Sequence, residues 1–275
     1  MGLDAFVPCN CLKEGKATPP PVDKEWIILD EEGYIHLNSE YSVDSDLEAK
    51  IDEWSYECCP HQFMHMSEHI CNWSGLRSFQ QALIKLGIEH FPILGTQLPN
   101  VNGGSLGVES VEKALLELEF FEQNIKTQSS LYLINAEDSQ AIYEYIEVYG
   151  GRFLFSKPHS MGFNVNGLYI IDSEDNILFQ SKRVTQKVYL YSNWICKFAS
   201  IFNIKLKPVR KVVWTDLDTG KQFYTRWGLS FNDAYPKEFA IENRSVISDD
   251  YQYIIQSLRK IFQISIDTGN SVYWC

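Results

Sequence analysis

The chain has 275 residues and a mass of 31.8 kDa, enough to bury a sizeable core as one large or two small domains. With 45% hydrophobic, 22% charged and 14% aromatic residues, it is neither disordered, collagen-like nor coiled-coil in composition. The net charge of −12 is uneven: the stretch Ser181 to Trp227 carries ten basic and two acidic residues, so it is +8 and the remainder −20. An acidic body of this kind repels polyanions and argues against general nucleic-acid binding, leaving the stretch Lys182 to Arg226 as the exception.

Leu3 to Cys11 reads as an opening strand, with Leu3, Ala5 and Val7 on one face and Asp4 and Phe6 on the other. Lys13 to Asp23 contains Thr18-Pro19-Pro20-Pro21, an extended connector unsuited to a sheet interior. Trp26-Ile27-Ile28-Leu29 and Tyr34-Ile35-His36-Leu37 form a predicted hairpin with Gly33 at its turn. Ser45-Asp46-Leu47-Glu48 opens a helix to about Tyr56. Ser74 is the expected N-cap of a second helix, with Leu76, Phe79, Leu83, Ile84 and Leu86 apolar and Gly87 as its stop. Ile88 to Leu106 is a Pro, Gly and Asn-rich loop, and Glu109 to Asn124 an amphipathic helix. Short strands follow from Thr127, with a helix expected over Ala141 to Tyr149 and hairpin turns at Ser173 to Asn176 and Asp216 to Gly220. Ser248-Asp249-Asp250 caps a last helix to about Ile264, and Ser271 to Trp274 ends the chain as a strand.

The expected fold class is α+β: antiparallel β-hairpins with several helices, a helix-richer N-terminal part and a strand-richer C-terminal part. The expected division is 1–126, a mixed part with the Cys/His cluster, and 127–275, a β-rich part closed by the C-terminal helix, the two being compatible with a single domain.

Chemistry concentrates in Cys58 to Cys71, which holds three of six histidines and three of seven cysteines. His61, His65 and His69 are spaced i, i+4, i+8, and a helix starting at Pro60 would set them along one face with a drift of about 40° per step. The spacing matches the histidines of HExxH, but Gln62 stands where that motif has its general base, which removes the protease chemistry. A mixed thiolate and imidazole site is the better metal reading: Cys9 and Cys11 with Cys58, Cys59, His61, His65, His69 and Cys71, zinc being the ion such a set would suit, while the cofactor itself is left open. The reading favoured over a metal site is a buried joint of free thiols and core histidines. A cysteine nucleophile paired as Cys59 with His61 or His65, or Cys9 with His36, has no local signature behind it.

Three further motifs have ordinary readings. The basic and aromatic stretch Lys182 to Arg226 has the composition of a single-stranded nucleic-acid surface, but a sheet with an aromatic core and basic outer face accounts for it better. Asp216-x-Asp218-x-Gly220 lacks the distal Glu of a calcium loop and reads as a turn. Asn100 to Gly107 is glycine-rich before a helix, but it has no Lys and is followed by Glu109 and Glu112, which repel phosphate.

No run approaches the roughly 18–20 apolar residues of a membrane span, and the N-terminus has neither the basic nor the apolar region of a secretory signal. The expectation is a cytoplasmic chain with reduced cysteines and no membrane partner. The expected function is an acidic protein-binding protein that occupies a basic partner's surface, in the manner of an immunity protein or inhibitor. The alternative is a zinc-dependent enzyme using the Cys58 to Cys71 cluster.

Overall fold

The computed structural model describes residues 2–30, 33–38, 45–191, 209–230, 236–246 and 248–275. These residues divide into two compact units, one of 1–128 with 246–275 and the other of 129–245.

In the first unit, β1 (Gly2–Pro8) lies between β4 (His65–Asn72) and β16 (Val272–Trp274), and β5 (Ser105–Leu106) closes the far edge, all antiparallel. Flanked on both sides, β1 buries both faces: Leu3, Ala5 and Val7 enter the main core and Phe6 enters an aromatic stack opposite. The helices α1 (Ser45–Glu57), α2 (Trp73–Gly87), α3 (Leu94–Gln97), α4 (Val108–Asn124) and α5 (Gln252–Thr268) all belong here. The apolar stripe of α2, Leu76, Phe79 and Leu83, recurs at helical spacing and is fully buried against Val111, Leu118 and Phe121 of α4 and Ile254, Leu258 and Phe262 of α5. The N-cap of α2 is Asn72, whose Oδ1 accepts from the Gly75 N–H at 2.8 Å, so the helix starts before the expected Ser74. Glu117 is buried on α4 and caps α3, its carboxylate accepting from the Ile93 and Leu94 N–H groups at 2.9 and 2.8 Å. The hairpin β2 (Ile27–Leu29) and β3 (Ile35–Leu37) forms a separate pair. Gly33 sits at φ 86°, and a Cβ there would meet the Tyr273 and Phe6 rings at 2.8 and 2.9 Å, so the hairpin rests on those rings only with glycine at this position.

The second unit holds two antiparallel sheets. One runs β11 (Ile177–Ser181), β10 (Gly167–Ile171), β9 (Ser160–Asn164), β8 (Arg152–Leu154). The other runs β14 (Gln222–Thr225), β13 (Val209–Asp216), β12 (Arg183–Tyr191), β15 (Glu238–Ser245), β6 (Ser129–Asn135), β7 (Ala141–Glu144). Phe163, Phe179, Trp214 and Phe239 form its buried core.

The expected architecture of antiparallel hairpins, helix-richer first and strand-richer second, is therefore corrected. The defining pairings are not hairpins: β1 pairs with β4 and β16, and β15 with β6, across long stretches of chain. The helix-bearing unit is itself organised on a sheet, because an isolated amphipathic helix needs a packed apolar face to be stable. Ala141 to Tyr149 is not a helix: β7 is followed by a short 3-10 turn, Glu147–Tyr149. The segment instead pairs with β6, Tyr143 opposite Leu133, and its Tyr143 ring stacks on Phe153 of the other sheet at 4.3 Å between ring centres. Among the described residues, no helix is long and apolar enough to cross a membrane.

Candidate metal centre

The register of β1 against β4 builds the site. Pro8 stands opposite His65, and the Cys9 N–H donates to the Met64 carbonyl at 2.7 Å. Whatever follows β1 therefore lies beside whatever precedes β4, and those segments are Cys9-Asn10-Cys11 and Cys59-Pro60-His61. Both are pinned by backbone bonds: Lys16 N–H and Ala17 N–H to the Cys11 carbonyl at 2.8 and 3.1 Å, and Thr18 N–H to the Cys58 carbonyl at 2.8 Å. Asn10 holds the loop from the other side, its Nδ2 donating to Thr268 O at 2.6 Å and its Oδ1 accepting from Asn270 Nδ2 at 3.0 Å.

One ligand atom from each of Cys9, Cys11, Cys59 and His61 lies within 4.8 Å of every other. Cys9 Sγ is 3.8 Å from Cys59 Sγ, and His61 Nδ1 is 3.5 Å from Cys11 Sγ and 3.9 Å from Cys59 Sγ. A tetrahedral zinc ion with thiolates at about 2.3 Å and an imidazole nitrogen at about 2.0–2.1 Å spans S to S about 3.8 Å and S to N about 3.6 Å. Three of the six separations thus match the edges of a zinc tetrahedron, and the other three are no longer than 4.8 Å. Burial pushes the Cys9 thiol well above its ordinary range and raises the Cys11 thiol too, and the neighbouring Cys59 pushes both the same way. Three thiolates in this space need a cation to offset their charge, and a bound divalent metal deprotonates them outright.

The other expected ligands do not join them. Cys58 is buried next to the site, in one small apolar cluster with Cys11 and Met64, but is outside the group of converging ligand atoms; burial raises its pKa to about 11. Cys71 is in the main core, raised to about 12 by burial alone. The helix expected from Pro60 is replaced by the 3-10 turn Gln62–Met64 and then β4, because Phe63 and Met64 take φ of 53° and 58°, outside any right-handed helix. In a strand, residues four apart are separated by about 13 Å, so His65 and His69 of β4 cannot share one ion. His69 is exposed and paired with Asp4 at 2.6 Å.

His65 stacks on Phe6 at 3.8 Å between ring centres, with Nε2 at 3.0 Å from the Gly33 carbonyl. Burial holds its pKa below 6.5, against the opposing pull of that carbonyl and of Asp30. The folded protein therefore binds this proton less readily than the unfolded chain. The stability it contributes is full above pH 6.5 and is lost as the pH falls below that value. His65→Phe, which keeps the ring stack, should flatten the fall in urea midpoint between about pH 7 and 5 relative to the parent chain. An equal fall in both proteins would remove His65 from the acid response.

A cavity of about 370 Å³ borders Cys9, Cys11 and His61, with Glu14, Lys16 and Asp267 as its charged lining. These neighbours and Asn10 were not legible as site residues, since Asp267 and Thr268 reach it only through the end of α5; the Asn between two cysteines was the available signal. Among the other motifs, the Asp216 carboxylate is consumed within its turn, accepting from Ser181 Oγ, the Asp218 N–H and Thr219 Oγ1, which holds its pKa below the usual range. The basic stretch from Lys182 to Arg226 forms β12 to β14 where described, and its middle, 192–208, lies outside the described residues. The tip of the first hairpin, 31–32, likewise lies outside them. No family model, curated protein or solved structure matches the chain.

Proposed function

We propose that the protein is a zinc-stapled binding protein. Zinc held by Cys9, Cys11, Cys59 and His61 fixes the loop after β1 to the approach of β4, and the acidic surface engages a basic protein partner. The observation that supports the metal half is the four ligand atoms mutually within 4.8 Å. Structural zinc sites use four protein ligands, whereas catalytic sites keep one position for water. A Cys3His set fills the tetrahedron, which favours the staple over a zinc enzyme. The partner half is supported by the charge of −12 carried by the chain, which steers a basic surface toward it.

Native mass spectrometry of protein purified without chelator should find one zinc per chain, and Cys59→Ser should carry none. Cobalt in place of zinc should give the intense visible bands of a tetrahedral thiolate site. A chain that purifies without metal and takes up neither ion would overturn the staple. For the partner half, capture at low salt should recover a basic protein and weaken as salt rises; tight capture indifferent to salt would count against it.

A further inference from the structure

Beside the metal centre, and sharing Cys9 with it, a second cavity of about 190 Å³ opens between the β2–β3 hairpin and the turn before β4. Its lining is mostly apolar: Leu12, Ile27, Ile35, Phe63 and Met64, with Lys13 as its cationic side chain. Small-molecule sites have this character, an apolar body with a few placed polar groups. A dry cavity of roughly 150 Å³ takes a benzene ring, so this one has room for a ring with a short substituent.

The rim carries an independent sign. Phe63 and Met64 both hold left-handed backbone, a conformation that bulky side chains rarely adopt and that clusters at ligand clamps. The result is that Met64 is buried while the Phe63 ring stays 48% exposed at the cavity mouth, against Tyr56. Ile28 and Leu29, also in the lining, are 41% and 48% exposed. Two other polar lining groups are already engaged: His65 Nε2 lies against the Gly33 carbonyl, and Asn270 Nδ2 donates to the Pro8 carbonyl and Asn10 Oδ1. Lys13, exposed, is left as the group that selects a head group by charge.

We propose that this cavity binds a small aryl or branched-alkyl monocarboxylate, of about ten non-hydrogen atoms, with its apolar body against Ile35, Phe63 and Met64 and its carboxylate at Lys13. The site does not depend on the zinc reading, since its lining is set by the hairpin and the β1–β4 pair.

The test is a titration of the full chain, methyl-labelled at Ile and Met, followed by NMR with phenylacetate and, separately, with 2-phenylethanol as the neutral counterpart. Phenylacetate should shift the Ile27, Ile35 and Met64 methyls saturably, with a Kd on the order of 1 mM for a ligand of this size. Lys13→Glu should weaken phenylacetate about tenfold, the loss of one charge-assisted contact, and leave 2-phenylethanol unchanged. Ile35→Trp, which fills the cavity, should abolish both. Shifts that do not saturate, or that centre on other methyls, would overturn the site, and this readout on the unaltered chain holds even if Ile35→Trp fails to fold. Equal response of the two ligands to Lys13→Glu would overturn the carboxylate.

Discussion

Cys11→Ser is expected to strip the protein of its metal and lower its melting temperature by about 10 °C. A ligand that binds only the folded state stabilises it by about 4 kcal/mol when its free concentration exceeds Kd a thousandfold. For a chain of this size each kcal/mol moves the midpoint by roughly 2–4 °C. The loss is large because Cys11 is buried, and serine offers the ion no thiolate. The signature is in the zinc dependence: the parent melt should rise with added zinc, whereas the variant should melt with the chelated parent and ignore zinc. Cys71→Ser is the control. It is also a buried thiol but lies in the main core, so it should destabilise the chain while leaving zinc response intact. A Cys11→Ser protein that still responds to zinc would show that the ligand set is wrong.

Phe121→Ala should cost about 3–5 kcal/mol, the range for deleting a large aromatic from a core that cannot collapse around the gap. Phe121 is fully buried and meets Phe79 at 4.8 Å and Tyr251 at 5.5 Å between ring centres, so it joins α2, α4 and the start of α5. Its contacts lie in the core cluster that excludes Cys9, Cys11 and Cys59, and the folded variant should keep its zinc stoichiometry. Urea denaturation followed by tryptophan fluorescence measures the loss; a change under about 1 kcal/mol would mean that the site repacks.

The sequence made the ligands legible and their geometry opaque. Cys9, Cys11, Cys59 and His61 stand out by residue type, and both Cys-x-Cys and Cys-Pro-His are visible by eye. What joins them is the antiparallel register of β1 and β4, a pairing across more than fifty residues that no local pattern encodes. The histidine spacing pointed to a helix because i, i+4 is meaningful only on a helix, and nothing in Gln62-Phe63-Met64 announces two successive left-handed residues. Periodicity served better where packing is one-sided, as in the stripes of α2 and α4 and the alternation of Leu3, Ala5 and Val7. It failed at Ala141 to Tyr149, where the pairing with β6 comes from outside the segment.

The position of β16 inside the sheet of β1 and β4 has a consequence for synthesis. β1 is made well before β16, and Asp4 exchanges backbone hydrogen bonds with Cys275. The first unit cannot close its sheet until β16 is translated, whereas 129–245 is one uninterrupted stretch made before it. During that interval β1 and β4 are the early partners available to each other, and their pairing is the one that assembles the four metal ligands. Zinc captured by the nascent chain would then hold the N-terminal half in register while it waits for its last strand.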